Sequence, residues 1–210
     1  MADNFVLYGR EGSGSAVCEA VLALTGLPHQ LVECPKNEDG TTPFELLALN
    51  PLGQVPTMVM PDQSIMTESA AICIYLADLG GTLAPKPDDA LRAQYLRWMV
   101  YLSANNYMTD LRFYYADRFS VDETHADGIK TAAAKRKEFE WDVIAAFLGS
   151  KPFLLGDTLS AADIYAAMLI CWIEDRDAFF ARHANVAALY TNVMSEPKIK
   201  EIWLRHGFEV

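Results

Sequence analysis

The chain has 210 residues, 51% hydrophobic and 21% charged, enough to bury a core in one large domain or two small ones. Its net charge of −11, from 28 acidic and 17 basic residues, argues against a nucleic-acid partner and an anionic membrane surface. No apolar run reaches the roughly 18 residues of a membrane span, and the N-terminus lacks the pattern of a signal peptide, so a cytoplasmic location is expected.

The first third alternates short strands and helices. Residues 5–8 form a compact apolar run closed by Gly9, a buried strand by its length. A Gly/Ser loop follows over 9–15. Residues 16–25 carry Val17, Ala20, Val21 and Leu24 at helical spacing and stop at Gly26, a helix-ending residue. A second strand is predicted over 30–33 and a short helix over 44–49. Residues 57–60 and 64–66 flank Pro61-Asp62 and read as a hairpin. A helix over 68–79 ends at Gly80-Gly81. The order β-α-β-α-β-β-α is that of a thioredoxin-like domain, a mixed sheet covered by helices.

Residues 81–90, rich in Gly, Pro and Asp, form a linker by composition. Beyond them strand signals vanish. Helices are predicted over 92–107, 130–148, 161–173, 184–194 and 198–203, and the apolar stretch 161–173 is expected to be the buried centre. The division is therefore 1–80 α/β, 81–90 linker and 91–210 all-α.

Residues 1–91 hold three basic groups, Arg10, Lys36 and Lys86, against twelve acidic ones. An anion bound there must rely on backbone N–H groups, helix N-termini and those few cations. Of the four cysteines, Cys18, Cys73 and Cys171 lie in apolar surroundings and read as core. Cys34, in a polar loop, is expected near the surface. None has CxxC or zinc-ligand spacing, and a reducing compartment suits them. His29, His125, His183 and His206 are scattered, so no metal site is expected.

Three motifs carry the functional reading. Asn50-Pro-Leu-Gly-Gln-Val-Pro56 cannot be helix interior, and Pro56 stands just before a strand, where a cis bond can be selected. Such a bond turns the Val55 N–H and C=O outward, able to pair with an extended peptide. Thr67-Glu68-Ser69 opens a helix. Its free N–H groups and a hydroxyl suit an α-amino-acid head group, with Glu68 for the ammonium and Ser69 for the carboxylate, although a plain N-cap reads the same way. Ser160-Ala-Ala-Asp163 is a capping box with Leu159 and Ile164 as hydrophobic staple.

NPLGQVP, the ES pair eleven residues on, and the capping box together resemble the cytosolic glutathione transferases over nearly the whole chain. The likeness is to bacterial beta-like and theta-like members with a serine-type loop. It implies glutathione as co-substrate, no further cofactor, and a homodimer. It implies that Gln54, Val55 and Pro56 belong to the glutathione site, with Val55 pairing with the cysteinyl backbone, and that Glu68 and Ser69 hold the γ-glutamyl end. Lys36, Arg10 and Gln54 are candidates for the glycine carboxylate. The thiolate belongs at 8–15, where Ser13 and Ser15 are the catalytic candidates, followed by Tyr8, because a hydrogen bond to the anion lowers a thiol pKa. Gly14 falls where beta-type members carry cysteine. Tyr107, Phe113 and Tyr114, with Tyr8, are expected to line a second-substrate pocket, Tyr107 matching an active-site polar position of beta-type relatives; an aromatic core stripe is the plainer alternative.

The resemblance implies conjugation of glutathione to small hydrophobic electrophiles through a serine-stabilised thiolate. Three other readings stay open. One is a non-catalytic glutathione-binding or scaffold protein. Another is glutathione-dependent disulfide reduction without a protein cysteine, as in nu-type relatives. The last is isomerisation, for which zeta-type members carry SSCS where this chain has GSGS.

Overall fold

The computed structural model describes residues 4–210. Strand β1 (Phe5–Gly9) runs through the glycine-rich loop into α1 (Ser15–Thr25). Then come β2 (His29–Glu33), α2 (Phe44–Leu49), the hairpin β3 (Thr57–Val59) and β4 (Ile65–Thr67), and α3 (Ser69–Gly80). The sheet order is β2-β1-β3-β4. β1 is parallel to β2 and antiparallel to β3, as a strand–helix–strand unit followed by a hairpin requires. Phe5 and Leu7, alternate residues of β1, are buried with Met58 of β3. Helix α1 stops because Gly26 adopts φ 68 and its N–H reaches the Leu22 carbonyl. This is the thioredoxin-like layout.

A helical domain follows: α4 (Arg92–Tyr101), α5 (Met108–Tyr114), α6 (Ala126–Leu148), α7 (Ala161–Ile170), α8 (Arg176–Arg182), α9 (Ala184–Met194) and α10 (Pro197–Arg205). All of α7 is buried, and the capping box opens it. One Asp163 carboxylate oxygen accepts the Ser160 N–H at 2.8 Å and the Ser160 hydroxyl at 2.6 Å. The other accepts the Leu154 N–H at 2.7 Å. Burial pushes this carboxyl up to about 6, and the hydrogen bonds oppose that rise.

The domains are tied around α1, which packs on α7 and α10. The Ser69 and Tyr165 hydroxyls meet at 2.7 Å, and Lys198 Nζ donates to the Ala23 carbonyl at 2.9 Å. Buried Glu19 of α1 pairs with Arg205 and lies 3.0 Å from His206 Nε2.

The structure corrects several expectations. The single helix expected over 92–107 is broken: a π-helical turn, Leu102–Tyr107, separates α4 from α5. Ser103, Asn105 and Asn106 are weak α-formers, and such inserts are common at functional sites. Helix α7 ends at Ile170, and 171–173 turn away from its axis. Helix α8 was not anticipated, although Asp175 marks it, accepting from the Ala178 N–H at 3.0 Å. Cys34 is buried, at 6% exposure, because its N–H bonds to the Gly9 carbonyl at 2.7 Å and its carbonyl takes Arg10 Nε at 2.8 Å. Cys171 lies in the turn after α7 and is only partly buried. Cys18 and Cys73 are core, as expected.

Candidate functional site

The loop between β1 and α1 is held by its own serines. Ser15 is 1% exposed, and its Oγ accepts the Arg10 N–H at 3.1 Å. It fits there because Gly9 has no side chain: a Cβ would stand 2.7 Å from Ser15 Oγ. Ser13 Oγ lies 2.8 Å from Ser15 Oγ and donates to the Arg10 carbonyl at 2.7 Å. The N–H groups of Ser13, Ser15 and Ala16 go to Arg10 O, Ser13 Oγ and Ser13 O. The loop is thus a closed turn at the N-terminus of α1.

The NPLGQVP turn is closed from within. Buried Asn50 donates from Nδ2 to the Gln54 carbonyl and to Thr57 Oγ1, each at 3.1 Å, and accepts the Leu52 N–H at 3.1 Å. Thr57 Oγ1 donates to the Gln54 carbonyl at 2.8 Å. Val55–Pro56 is cis, as the motif leads one to expect. The Val55 N–H and C=O take no backbone partner among the described residues. Thr57 pairs with Thr67 across the hairpin, so Pro56 and Glu68, each one residue outside that pair, stand on neighbouring strand ends. Glu68 is exposed at φ 68, an uncommon conformation for a residue with a side chain, and precedes the free N–H groups of α3.

One open cleft of about 1410 Å³ joins the two domains. Arg10, Ser13, Lys36, Gln54 and Val55 line one side, and Tyr107, Tyr114, Tyr115, Arg118 and Trp172 line the other. Arg10 Nη2 is buried without a partner among the described residues, whereas Lys36 Nζ donates to Thr42 Oγ1 at 3.0 Å. Arg118 lies over the Tyr115 ring at 3.8 Å, and Tyr107 meets Trp172 edge-on at 5.1 Å. The Tyr114 hydroxyl donates to the Trp172 carbonyl. Asp110 lies on the floor, 3% exposed and 2.5 Å from Lys137 Nζ. Burial pushes its carboxyl up to about 6, while Lys137 pulls the other way.

Of the residues singled out in the sequence, Arg10, Ser13, Lys36, Gln54, Val55, Tyr107 and Tyr114 meet on this cleft. Pro56 and Ser15 are buried behind it. Glu68 and Ser69 stand at the start of α3 and are not among the residues that line the cleft. Two others lie elsewhere. Tyr8 is half-buried in the middle of the sheet, paired with Val32 and Thr57. The Phe113 ring turns to α6, under Lys130 Nζ at 4.8 Å and Lys137 Nζ at 5.4 Å. Sequence reasoning missed Asp110, Arg118, Trp172 and the 171–177 segment. The aromatics and the Asp175 cap were visible as residues, but their convergence depends on the π-turn and on the bend after Ile170.

A thioredoxin-like domain with an open Val55 edge, joined across a cleft to a helical domain with a capped central helix, defines a two-domain transferase architecture. Residues 15–79 match the family model for the glutathione S-transferase N-terminal domain, and 109–205 match that for the C-terminal domain. The chain is 30% identical over 201 residues to the uncharacterized GST-like protein YncG of Escherichia coli, spanning 95% of this chain and 97% of that one. A ternary complex of BphK, a bacterial GST, superposes with TM-score 0.81 at 25% identity, covering 97% and 100% of the two chains. A glutathione transferase homolog from Sulfitobacter with bound glutathione shares the fold at TM-score 0.86 and 21% identity, covering 99% and 100%. The chain belongs to the glutathione S-transferase family.

Proposed function

We propose that this protein conjugates glutathione to small hydrophobic electrophiles. One observation carries the reading: Val55, whose backbone N–H and C=O take no backbone partner among the described residues, and Arg10, whose Nη2 is buried without a partner among them, line the same cleft. An extended peptide with a carboxylate satisfies both, the Val55 edge by strand-like pairing and the guanidinium by a charge-assisted hydrogen bond. Glu68, Ser69 and the N-terminus of α3 supply a complementary γ-glutamyl end, and Gln54 and Lys36 add donors at the carboxylate end. The thiol then points to the Ser13 loop. Ser13 reaches the cleft while Ser15 is sealed, so Ser13 is the stronger serine candidate.

In this reading the thiol proton leaves to solvent and the thiolate attacks the electrophilic carbon. The S–C bond forms as the carbon–halogen bond of an aryl halide breaks, and the halide leaves with the bonding pair. Tyr107, Tyr115 and Trp172 offer the apolar surface for the electrophile. No cysteine stands in the loop, which favours conjugation over mixed-disulfide chemistry.

We also propose a cytoplasmic homodimer. Four free cysteines suit a reducing compartment, and no described helix is long and apolar enough to cross a membrane. Phe44 at 78%, Leu52 at 69% and Val100 at 57% exposure offer apolar surface for a second copy. Turnover of a general aryl halide with glutathione, beside calorimetry with glutathione alone, tests the proposal. Binding with turnover above the uncatalysed rate is expected. Binding without turnover leaves a glutathione-binding scaffold, and no binding near millimolar removes the reading.

A further inference from the structure

Among the described residues that line the cleft, Asp110 is the buried carboxylate, at 3% exposure, and the other acidic residues on the lining are exposed. Asp110 stands three residues after Tyr107 and four before Tyr114, so the acid lies between two aromatic rings on one helical face. Burial pushes both phenols up to about 12, and the Asp110 charge adds to the rise in each.

Lys137 of α6 fixes this carboxylate from behind. Its Nζ lies 2.5 Å from Asp110 Oδ1, which is sealed from solvent. The same ammonium donates to the Trp172 carbonyl at 3.4 Å and sits 5.4 Å from the Phe113 and Tyr114 ring centres. Oδ2 takes no hydrogen bond from any other described side chain, and it is the oxygen left to the cleft. The cations that the helical domain places on the cleft are engaged elsewhere. Arg118 lies over the Tyr115 ring, and Arg176 donates to the Glu209 carbonyl at 2.6 Å. With its carboxyl at about 6, Asp110 is ionised at neutral pH and can only accept. The electrophile half of the cleft is thus an aromatic surface, Tyr107, Tyr114 and Trp172, with one anchored acceptor in its floor. Few, fixed polar groups among apolar walls are what orient a small ligand.

We infer that Asp110 is a specificity-determining residue that selects aromatic electrophiles carrying a hydroxyl or amino donor, held by Oδ2 while the ring packs against Tyr107 and Trp172. The inference rests on the glutathione reading above and names the substrate class of that site. A site built to accept a substrate O–H discriminates against the analogue that lacks the proton, because the buried acceptor is then left without a partner. Asp110 takes no part in bond making. The glutathione sulfur bonds to the ring carbon, and chloride leaves with the bonding pair.

The test compares two aryl chlorides, a chlorodinitrobenzyl alcohol and its methyl ether, which differ in the donor proton and keep the same reacting carbon. The readout is the ratio of their kcat/KM values with glutathione, each corrected for the uncatalysed rate, so it does not depend on how much enzyme is active. Wild type should favour the alcohol by about tenfold or more, the worth of a hydrogen bond to a charged group. In Asp110→Asn the ammonium of Lys137 takes the amide oxygen and turns the NH2 group to the cleft, so the ratio should fall to about one or below. Asp110→Leu/Lys137→Met removes both charges together and leaves neither buried alone, which gives a second route should Asp110→Asn fold poorly. Its ratio should be about one. A wild-type ratio near one overturns the inference, as does a tenfold preference that survives in both variants, which would make the preference one of size. Turnover of neither compound by wild type overturns the conjugation reading itself, and the inference with it.

Discussion

The Tyr107 phenol oxygen stands 2.7 Å from where a Cβ of Gly14 would lie, so two residues from different domains share one volume. Gly14 has φ −64, an ordinary helical value, so a side chain there is excluded by Tyr107 and not by the backbone. Gly14→Ala should destabilise the protein by about 1–3 kcal/mol, the usual cost of overpacking. In Gly14→Ala/Tyr107→Ala that cost should be largely relieved. Urea denaturation of the four-member cycle measures the coupling. Additive losses would mean that the two residues do not compete for space.

Arg10 holds the loop with Nε on the Cys34 carbonyl, and its Nη2 has no partner among the described residues. Lysine has one nitrogen and cannot do both. Arg10→Lys should raise KM for glutathione roughly 10-fold with kcat little changed, since a charge-assisted hydrogen bond is worth about 1.5–3 kcal/mol and 1.4 kcal/mol is tenfold. A KM equal to that of wild type would remove Arg10 from the binding site.

Asp163 satisfies three donors at the buried start of α7. Asp163→Ala leaves the Leu154 and Ser160 N–H groups buried without acceptors. A loss of about 3–4 kcal/mol is expected, above that of an exposed cap because the whole helix is interior. Equilibrium unfolding in urea checks this, and a loss near zero would show that the box is dispensable.

Asp110 carries a pH dependence of defined sign. Its folded pKa of about 6 lies above the ordinary value of 3.8, so folding takes up a proton between those limits. The associated stability is fully present below the lower value and is lost as pH rises through the upper one. Relative to Asp110→Asn, wild type should lose about 2–3 kcal/mol between roughly pH 4 and 6.5. Parallel pH–stability curves for the two proteins would contradict this.

What the sequence by itself determined was local and periodic. Alternating strand and helix signals, the stop at Gly26, the Asn50–Pro56 turn and the Ser160–Asp163 box all follow from short-range sterics and hydrogen bonds, and the structure keeps each of them. Tertiary structure decided which chemistry-bearing groups meet. Ser13 and Ser15 are two residues apart and look equivalent in the sequence. Packing under Gly9 seals one and leaves the other on the cleft. Phe113 and Tyr114 are neighbours on one helix, yet one faces α6 and the other the cleft. Tyr107 reaches Gly14 across 93 positions of sequence because a π-turn interrupts α4–α5 and α1 packs against the helical domain. Contacts of that kind depend on the burial and closure of the whole fold, and no local pattern in the chain encodes them.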